Sequence, residues 1–218
     1  MTKTIDIRIR EELLQLHPFR AIFWEKEKAL LLSDLHLGKL AHFRKKGIPV
    51  PLSAGENNWD QLTSLLLAYC PERVIFLGDL FHSHLNAEWE AFSHLLQQFS
   101  AIHFELIPGN HDILRKEVYE AAGLSLHKPS LAIAPFVLTH EPMAPLSGLF
   151  YNLAGHLHPG VKLAGNGRQS LRLPCFYFTE NQGILPAFGI FTGLATIQPK
   201  MGDHVFVVAD DAVFPVTG

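Results

Sequence analysis

Apolar and polar residues alternate through the first half of the chain in two different periods. Residues 4–9 and 12–16 alternate or run apolar and predict strands, and RAIFWEKEKALLLSD predicts a hairpin with strands at 20–24 and 28–33 around a charged turn. Trp59, Leu62, Leu65 and Leu66 then fall at helical spacing, which predicts a helix over 56–69. RVIFLGD reads as a buried strand, Ala87 to Phe99 as a helix, AIHFELIPGN as a strand ending in a turn, and Ile113 to Ala122 as a short helix that stops near Gly123. Beyond about residue 124 the pattern changes to short strands at 131–139, 150–155, 174–179, 182–186 and 204–208, separated by Pro and Gly. A βαβ-like first half and a β-rich second half predict an α/β fold (α+β by some schemes): two mixed sheets packed face to face, with helices outside. No linker, repeat or composition shift divides the chain, so a single domain over 1–218 is expected.

Composition sharpens this picture only in places. With 218 residues, 48% hydrophobic and 18% charged, the chain can bury a sizeable core. No apolar run reaches the roughly 18–20 residues of a membrane span, and MTKTIDIRIREELL has no signal-peptide core, so a cytoplasmic protein with no membrane contact is expected. Cys70 and Cys175 lack metal-type spacing and read as two buried thiols, with one disulfide as the alternative. The net charge of −3 argues against a wholly basic nucleic-acid binder, but two windows are locally basic. Gly38 to Gly55 carries Lys39, Arg44, Lys45 and Lys46, and Pro142 to Thr179 carries Lys162, Arg168 and Arg172. Neither stretch is balanced by a nearby acid before Glu56 or after Glu141.

Both windows adjoin the residues that carry chemistry. Five short segments each place His, Asp or Asn where a strand should end: SDLH (33–36), LGD (77–79), GNHD (109–112), LTH (138–140) and AGHLH (154–158). Asp34 and His36 would share a face if the strand continued, and His156 and His158 repeat that spacing. An ionised Asp79 at the end of a buried strand needs a partner, and a cation supplies one. In GNHD, Asn110 offers a carbonyl oxygen and His111 an imidazole, while Asp112 either accepts the second ring proton of His111 or caps the following helix. Taken singly, each of these motifs has an ordinary structural explanation: a turn aspartate, a core histidine, a capping residue. Taken together, carboxylate, amide and imidazole donors without thiolate point to two divalent metal ions, most readily Mn²⁺, with Fe or Zn as alternatives.

The set D-x-H, G-D, G-N-H-D, a lone His and G-H-x-H resembles the calcineurin-like metallophosphoesterase superfamily, over Ser33 to His158. That resemblance implies a four-layer sandwich. It implies that Asp34, His36, Asp79 and His158 hold one metal, and that Asp79, Asn110, His140 and His156 hold a second. His111 then acts as the acid or the phosphate-positioning group, beside Asp112. Hydrolysis would proceed by in-line attack of a hydroxide shared between the two metals.

Longer segments narrow the resemblance. DLHLGKLAHFRKKGIPVP, GDLFHSHLNAEWEAF, LIPGNHD, GHLHPGVKLAGNGRQSLRLPCFYF and LPAFGIFTG are similar to the bacterial ligase-associated DNA damage response endonucleases. This implies a phosphodiesterase or nuclease acting on DNA in repair, linked to an ATP-dependent DNA ligase and a ligase-associated helicase and exonuclease. On that reading Lys39, Arg44, Lys45, Arg168 and Arg172 track a phosphate backbone, and Phe43, Phe150 and Tyr151 are candidates to stack on bases. His82 and His84, just after Asp79, are candidates to support the ligands or touch substrate. The run LPAFGIFTGLATI reads as a core strand and turn, or as an apolar protein-binding patch. Two rival functions use the same motifs: a small-molecule nucleotide pyrophosphatase, and a non-catalytic scaffold that has kept the fold.

Overall fold

Alternation between residues 5 and 32 builds four antiparallel strands, β1 (Ile5–Ile9), β2 (Glu12–His17), β3 (Ala21–Trp24) and β4 (Ala29–Leu32). The computed structural model describes residues 2–39, 53–82, 85–145, 148, 150–164, 170–190 and 192–216. Helix α1 (Ser53–Tyr69), β5 (Arg73–Phe76), helix α2 (Ala87–Gln98), β6 (His103–Leu106), helix α3 (Lys116–Ala121) and β7 (Leu124–Leu126) follow. From β4 onward the sheet is parallel, so this seven-stranded sheet runs β1 to β7 in sequence order and is mixed.

The second sheet contains β8 (Leu131–Ile133), β9 (Phe136–Leu138), β10 (Tyr151–Ala154), β11 (Pro159–Ala164), β12 (Ser170–Phe178), β13 (Gln182–Ile184), β14 (Ala195–Thr196), β15 (His204–Ala209) and β16 (Ala212–Val216). Its path is β14-β11-β12-β13-β10-β9-β8, with β15 and β16 added against β12. β10 is parallel to both β9 and β13.

Two apolar layers hold this together. Leu14, Ile22, Trp24, Leu31 and Ile75 of the first sheet meet Phe136, Leu153, Phe176 and Phe178 of the second in one buried cluster, so the sheets pack face to face. On the other face of the first sheet, Leu30, Val74 and Phe76 pack against Leu62 and Leu66 of α1, Phe92 of α2 and Tyr119 of α3. The spacing of Leu62, Leu65 and Leu66 thus marks the buried stripe of α1. Asn86 caps α2 by accepting the amides of Glu88 and Trp89.

Several expectations are corrected. Residues 131–139 form two strands, because the Ala134-Pro135 turn reverses the chain and pairs Leu131 with Leu138. The third helix begins at Lys116 instead of Ile113, since residues 109–113 are folded into a tight turn by Asp112 N–H to Gly109 O and Ile113 N–H to His111 O. Cys70 is exposed beyond α1 and only Cys175 is buried; both thiols are free. Tyr151 lies in the core between the sheets and is closed to any base, whereas Phe150 is 43% exposed.

Candidate metal centre

Parallel strands end at the same side of a sheet, and their loops converge there. β4, β5 and β6 run out into SDLH, LGD and GNHD, while β9 and β10 deliver LTH and AGHLH from the second sheet. The loops remain tied beyond the strands: Asp34 N–H bonds Gly78 O (3.0 Å), His36 N–H bonds Asp79 O (2.9 Å), and Gly155 N–H bonds His140 O (2.9 Å).

Asp34 and His36 do reach one group, but through a backbone that has left the extended region instead of a continuing strand. Asp34, His36, Asp79, His156 and His158 all have left-handed φ, between 47° and 66°. Such a conformation costs on the order of 1–3 kcal/mol per non-glycine residue, and here it aims five side chains at one place.

Two ligand groups result. Asp34, His36 and His158 bring their donor atoms within 4.8 Å of one another, as do Asp79, His140 and His156. In the first group, Asp34 Oδ2 accepts from Ser33 Oγ–H (2.7 Å) and His156 N–H (2.9 Å). Asp34 Oδ1, His36 Nε2 and His158 Nε2 are buried without hydrogen-bond partners, and Oδ1 lies 3.1 Å from His158 Nε2. Three converging orphaned donors in a protein interior are what a cation would satisfy, so these residues fit a divalent metal. Burial pushes the Asp34 carboxyl up, but the nearby His158 ring and the Ser33 hydroxyl outweigh it and leave the group below its ordinary value. Burial, assisted by nearby Lys39, depresses His36 to about 3, which keeps its imidazole neutral and able to ligate.

Asp79 stands between the groups. Its Oδ2 is 3.7 Å from His36 Nε2, its Oδ1 is 3.5 Å from His140 Nε2, and Oδ1 also accepts the His111 amide at 2.9 Å. His140 donates Nδ1–H to the Leu77 carbonyl (2.9 Å), which turns Nε2 toward Asn110 Oδ1 (3.2 Å) and His156 Nδ1 (3.0 Å). Asn110 Oδ1 thus lies beside the second group.

His111 is half-buried, with its ring 3.9 Å centroid to centroid from His82 and 5.5 Å from His36. His82 also places Nδ1 3.3 Å from His36 Nδ1, so it touches a ligand. Asp112 fills neither role expected for it. Its oxygens take the amides of Gly109 (2.9 Å) and Phe81 (3.0 Å), stapling the GNHD turn to the loop after β5, and burial pushes its carboxyl up to about 6. The supporting roles of Ser33 and the Leu77 carbonyl were missed in the sequence; their only signal is that each opens a ligand segment.

Of the cationic candidates, Lys39 is half-buried and close enough to Asp79 and Asp34 to be influenced by both charges. Arg172 is exposed on β12, well outside the ligand groups, while Arg44, Lys45, Arg168, Phe43 and His84 lie outside the described residues. Residues 185–189 of the LPAFGIF run are buried but form no strand. They back the first ligand loop through Phe188 N–H to Ser33 O (2.8 Å) and Gly189 N–H to Asp34 O (3.1 Å). A cleft of about 510 Å³ opens beside Asn110 and His140, walled by Lys128, Ser130 and Met143.

A ligand set of this kind at the joint ends of two sheets defines a metallohydrolase class. The chain belongs to the calcineurin-like phosphoesterase family, whose sequence profile matches residues 28–178. It is thus a metal-dependent phosphoesterase. Among solved structures, Pseudomonas putida nuclease MPE overlays with a TM-score of 0.83 at 30% identity, covering 98% of this chain and 100% of that one. The Escherichia coli phosphoesterase Yfce (15% identity, TM-score 0.39, covering 84% and 88%) and the Aquifex aeolicus protein AQ665 (17%, 0.41, 64% and 82%) are too different in overlay to bear on function. No curated protein sequence matches the chain significantly.

Proposed function

We propose that residues 1–218 form one metallophosphoesterase domain that cuts phosphodiester bonds in DNA with two divalent cations, Mn²⁺ in the first instance. The observation that carries this reading is Asp79, a single buried carboxylate with one oxygen turned toward each ligand group. The likeness to a nuclease along the full chain supports nucleic acid as the substrate.

Asp34, His36, Asp79 and His158 would hold one cation, and Asp79, Asn110, His140 and His156 the other. Bound there, the cations supply Lewis acidity that activates water and offsets phosphoryl charge. The protein's own groups do the rest. The Leu77 carbonyl fixes the tautomer of His140. His111, steadied by His82, meets the phosphoryl group and passes a proton to the leaving oxygen. Asp112 holds the turn that carries Asn110 and His111. Lys39 adds positive charge beside the carboxylates, and Arg44, Lys45, Arg168 and Arg172 contact the DNA backbone. We place the enzyme in the cytoplasm, in DNA repair, working with an ATP-dependent DNA ligase and the ligase-associated helicase and exonuclease.

The test is hydrolysis of bis-p-nitrophenyl phosphate and of a labelled DNA strand with added Mn²⁺, for the wild type and Asp79→Asn. The wild type cleaves both and the variant neither. Cleavage of the small diester alone moves the substrate to a small nucleotide. Failure on both with two metals bound per chain overturns the enzymatic reading.

A further inference from the structure

The β11–β12 hairpin leaves the second sheet at the end where the ligands gather. Ala154, the last residue of β10, is level with Ile184, and Ile184 is level with Tyr177 of β12. β12 is antiparallel to β13 and β13 parallel to β10, so the part of β12 before Tyr177 continues past Ala154. It runs in the direction taken by the chain into His156 and His158.

Alternation then fixes which face carries what. Phe176 and Phe178 enter the core between the sheets, and Arg172 is four residues earlier on the same face. Register pairs Arg172 with Lys162 of β11, so the two side chains stand side by side. The opposite face, with Val161, Leu163 and Leu173, is used by packing on Cys175, Val205 and Val207. The hairpin is therefore anchored by its apolar face and presents a rung of two cations on the side continuous with the space between the sheets.

Like charges directly opposite one another destabilise an antiparallel pair. Lys162 and Arg172 are both exposed, and among the described residues neither has a carboxylate partner. An external anion would relieve that repulsion. Lys162 is four residues beyond His158 in a chain that is strand from Pro159, so it lies about 13 Å from that ligand along the strand. Neighbouring phosphates of a strand lie roughly twice the ~3.4 Å axial rise apart through space, so that span is about two phosphates.

Building on the nuclease reading above, we propose that the Lys162–Arg172 rung is a second phosphate-binding site, which grips the nucleic-acid backbone about two phosphates from the bond being cut. It selects long polyanions over short ones and takes no part in the chemistry.

The test uses Mn²⁺-loaded protein. KM is measured for a DNA strand of about 20 nucleotides and for a trinucleotide too short to reach the rung, between about 50 and 200 mM salt. The variants are Lys162→Glu/Arg172→Glu, Lys162→Gln/Arg172→Gln and the charge-preserving Lys162→Arg/Arg172→Lys. Charge reversal is expected to raise KM for the long strand about tenfold or more, and to flatten its log KM against log salt slope by about 1.4–1.8, the value for two lost phosphate contacts. The Gln pair falls between, the charge-preserving pair follows the wild type, and the advantage of the long strand over the trinucleotide collapses. An equal loss on both lengths overturns the proposal, because the rung would then act through the metal centre or the fold. Unchanged KM and slope overturn it in favour of another partner for the hairpin. A wild type that hydrolyses bis-p-nitrophenyl phosphate but neither strand removes the nuclease reading itself, and this proposal with it.

Discussion

Gly78 occupies a position where no side chain fits. Its φ is +80°, and a Cβ there would enter the ring of His140. Gly78→Ala is therefore expected to displace His140 and weaken binding at the second ligand group by about tenfold or more, as losses of ligand-orienting contacts do. A metal titration followed by calorimetry would show one class of sites lost before the other. His17, remote from the centre, gives a different expectation. It is buried at the end of β2, its Nδ1 accepts the Phe19 amide at 3.0 Å, and burial lowers its pKa to about 4. Below pH 6.5 the unfolded chain takes up a proton that the folded chain refuses until about pH 4, so this contribution is complete above 6.5 and is lost as pH falls toward 4. The loss amounts to roughly 2–3 kcal/mol, and His17→Asn, which keeps an acceptor for Phe19, should lose less stability than the wild type between pH 7 and 5 in urea melts. The candidate ligand segments were legible because each follows an apolar run that had to be a buried strand. The role of Asp112 was not, because it depends on the amide of Phe81, a residue 31 positions away.

Among the elements, the buried segment from Leu185 to Gly189 couples the β2–β3 turn to the first ligand loop. Arg20 Nη1 lies 3.4–3.5 Å from the carbonyls of Ala187, Phe188 and Gly189, and two amides of that segment hold Ser33 and Asp34. Arg20→Met, which keeps the aliphatic bulk, should lower divalent-metal affinity several-fold while Ser33→Ala, which strips a hydrogen bond from Asp34 itself, lowers it by about 10-fold or more. Equilibrium dialysis of both variants checks the ranking, and a wild-type affinity in Arg20→Met would break the link between Arg20 and the loop. This coupling was invisible beforehand because LPAFGIF is apolar enough to pass for a strand, and only its backbone bonds reveal what it supports. Similar reasons explain other gaps. β14 has two residues, β11 begins at a proline, and the one apolar run over 131–139 concealed a turn at Ala134-Pro135. The parallel core strands β4 and β5, with apolar residues on both faces, were the easiest to read.

For the whole molecule, binding at the centre is linked to folding. Three orphaned buried donors and two buried aspartates sit where the sheets meet, and a cation that binds only the folded chain stabilises it by about 2.7 kcal/mol at a hundredfold excess over its Kd. Addition of Mn²⁺ after exhaustive chelation is thus expected to raise Tm by several degrees, and Asp79→Asn to blunt the rise. A differential scan with no metal-dependent shift would argue against both ligand groups.

The two groups share one further property. Asp34 and His36 come from the first sheet but His158 from the second; Asp79 comes from the first but His140 and His156 from the second. Neither half of the polypeptide owns a complete set. The first group is complete only once the chain has been made as far as His158, and the second once it has reached His156. Both candidate groups are therefore completed only when the two sheets are in place together.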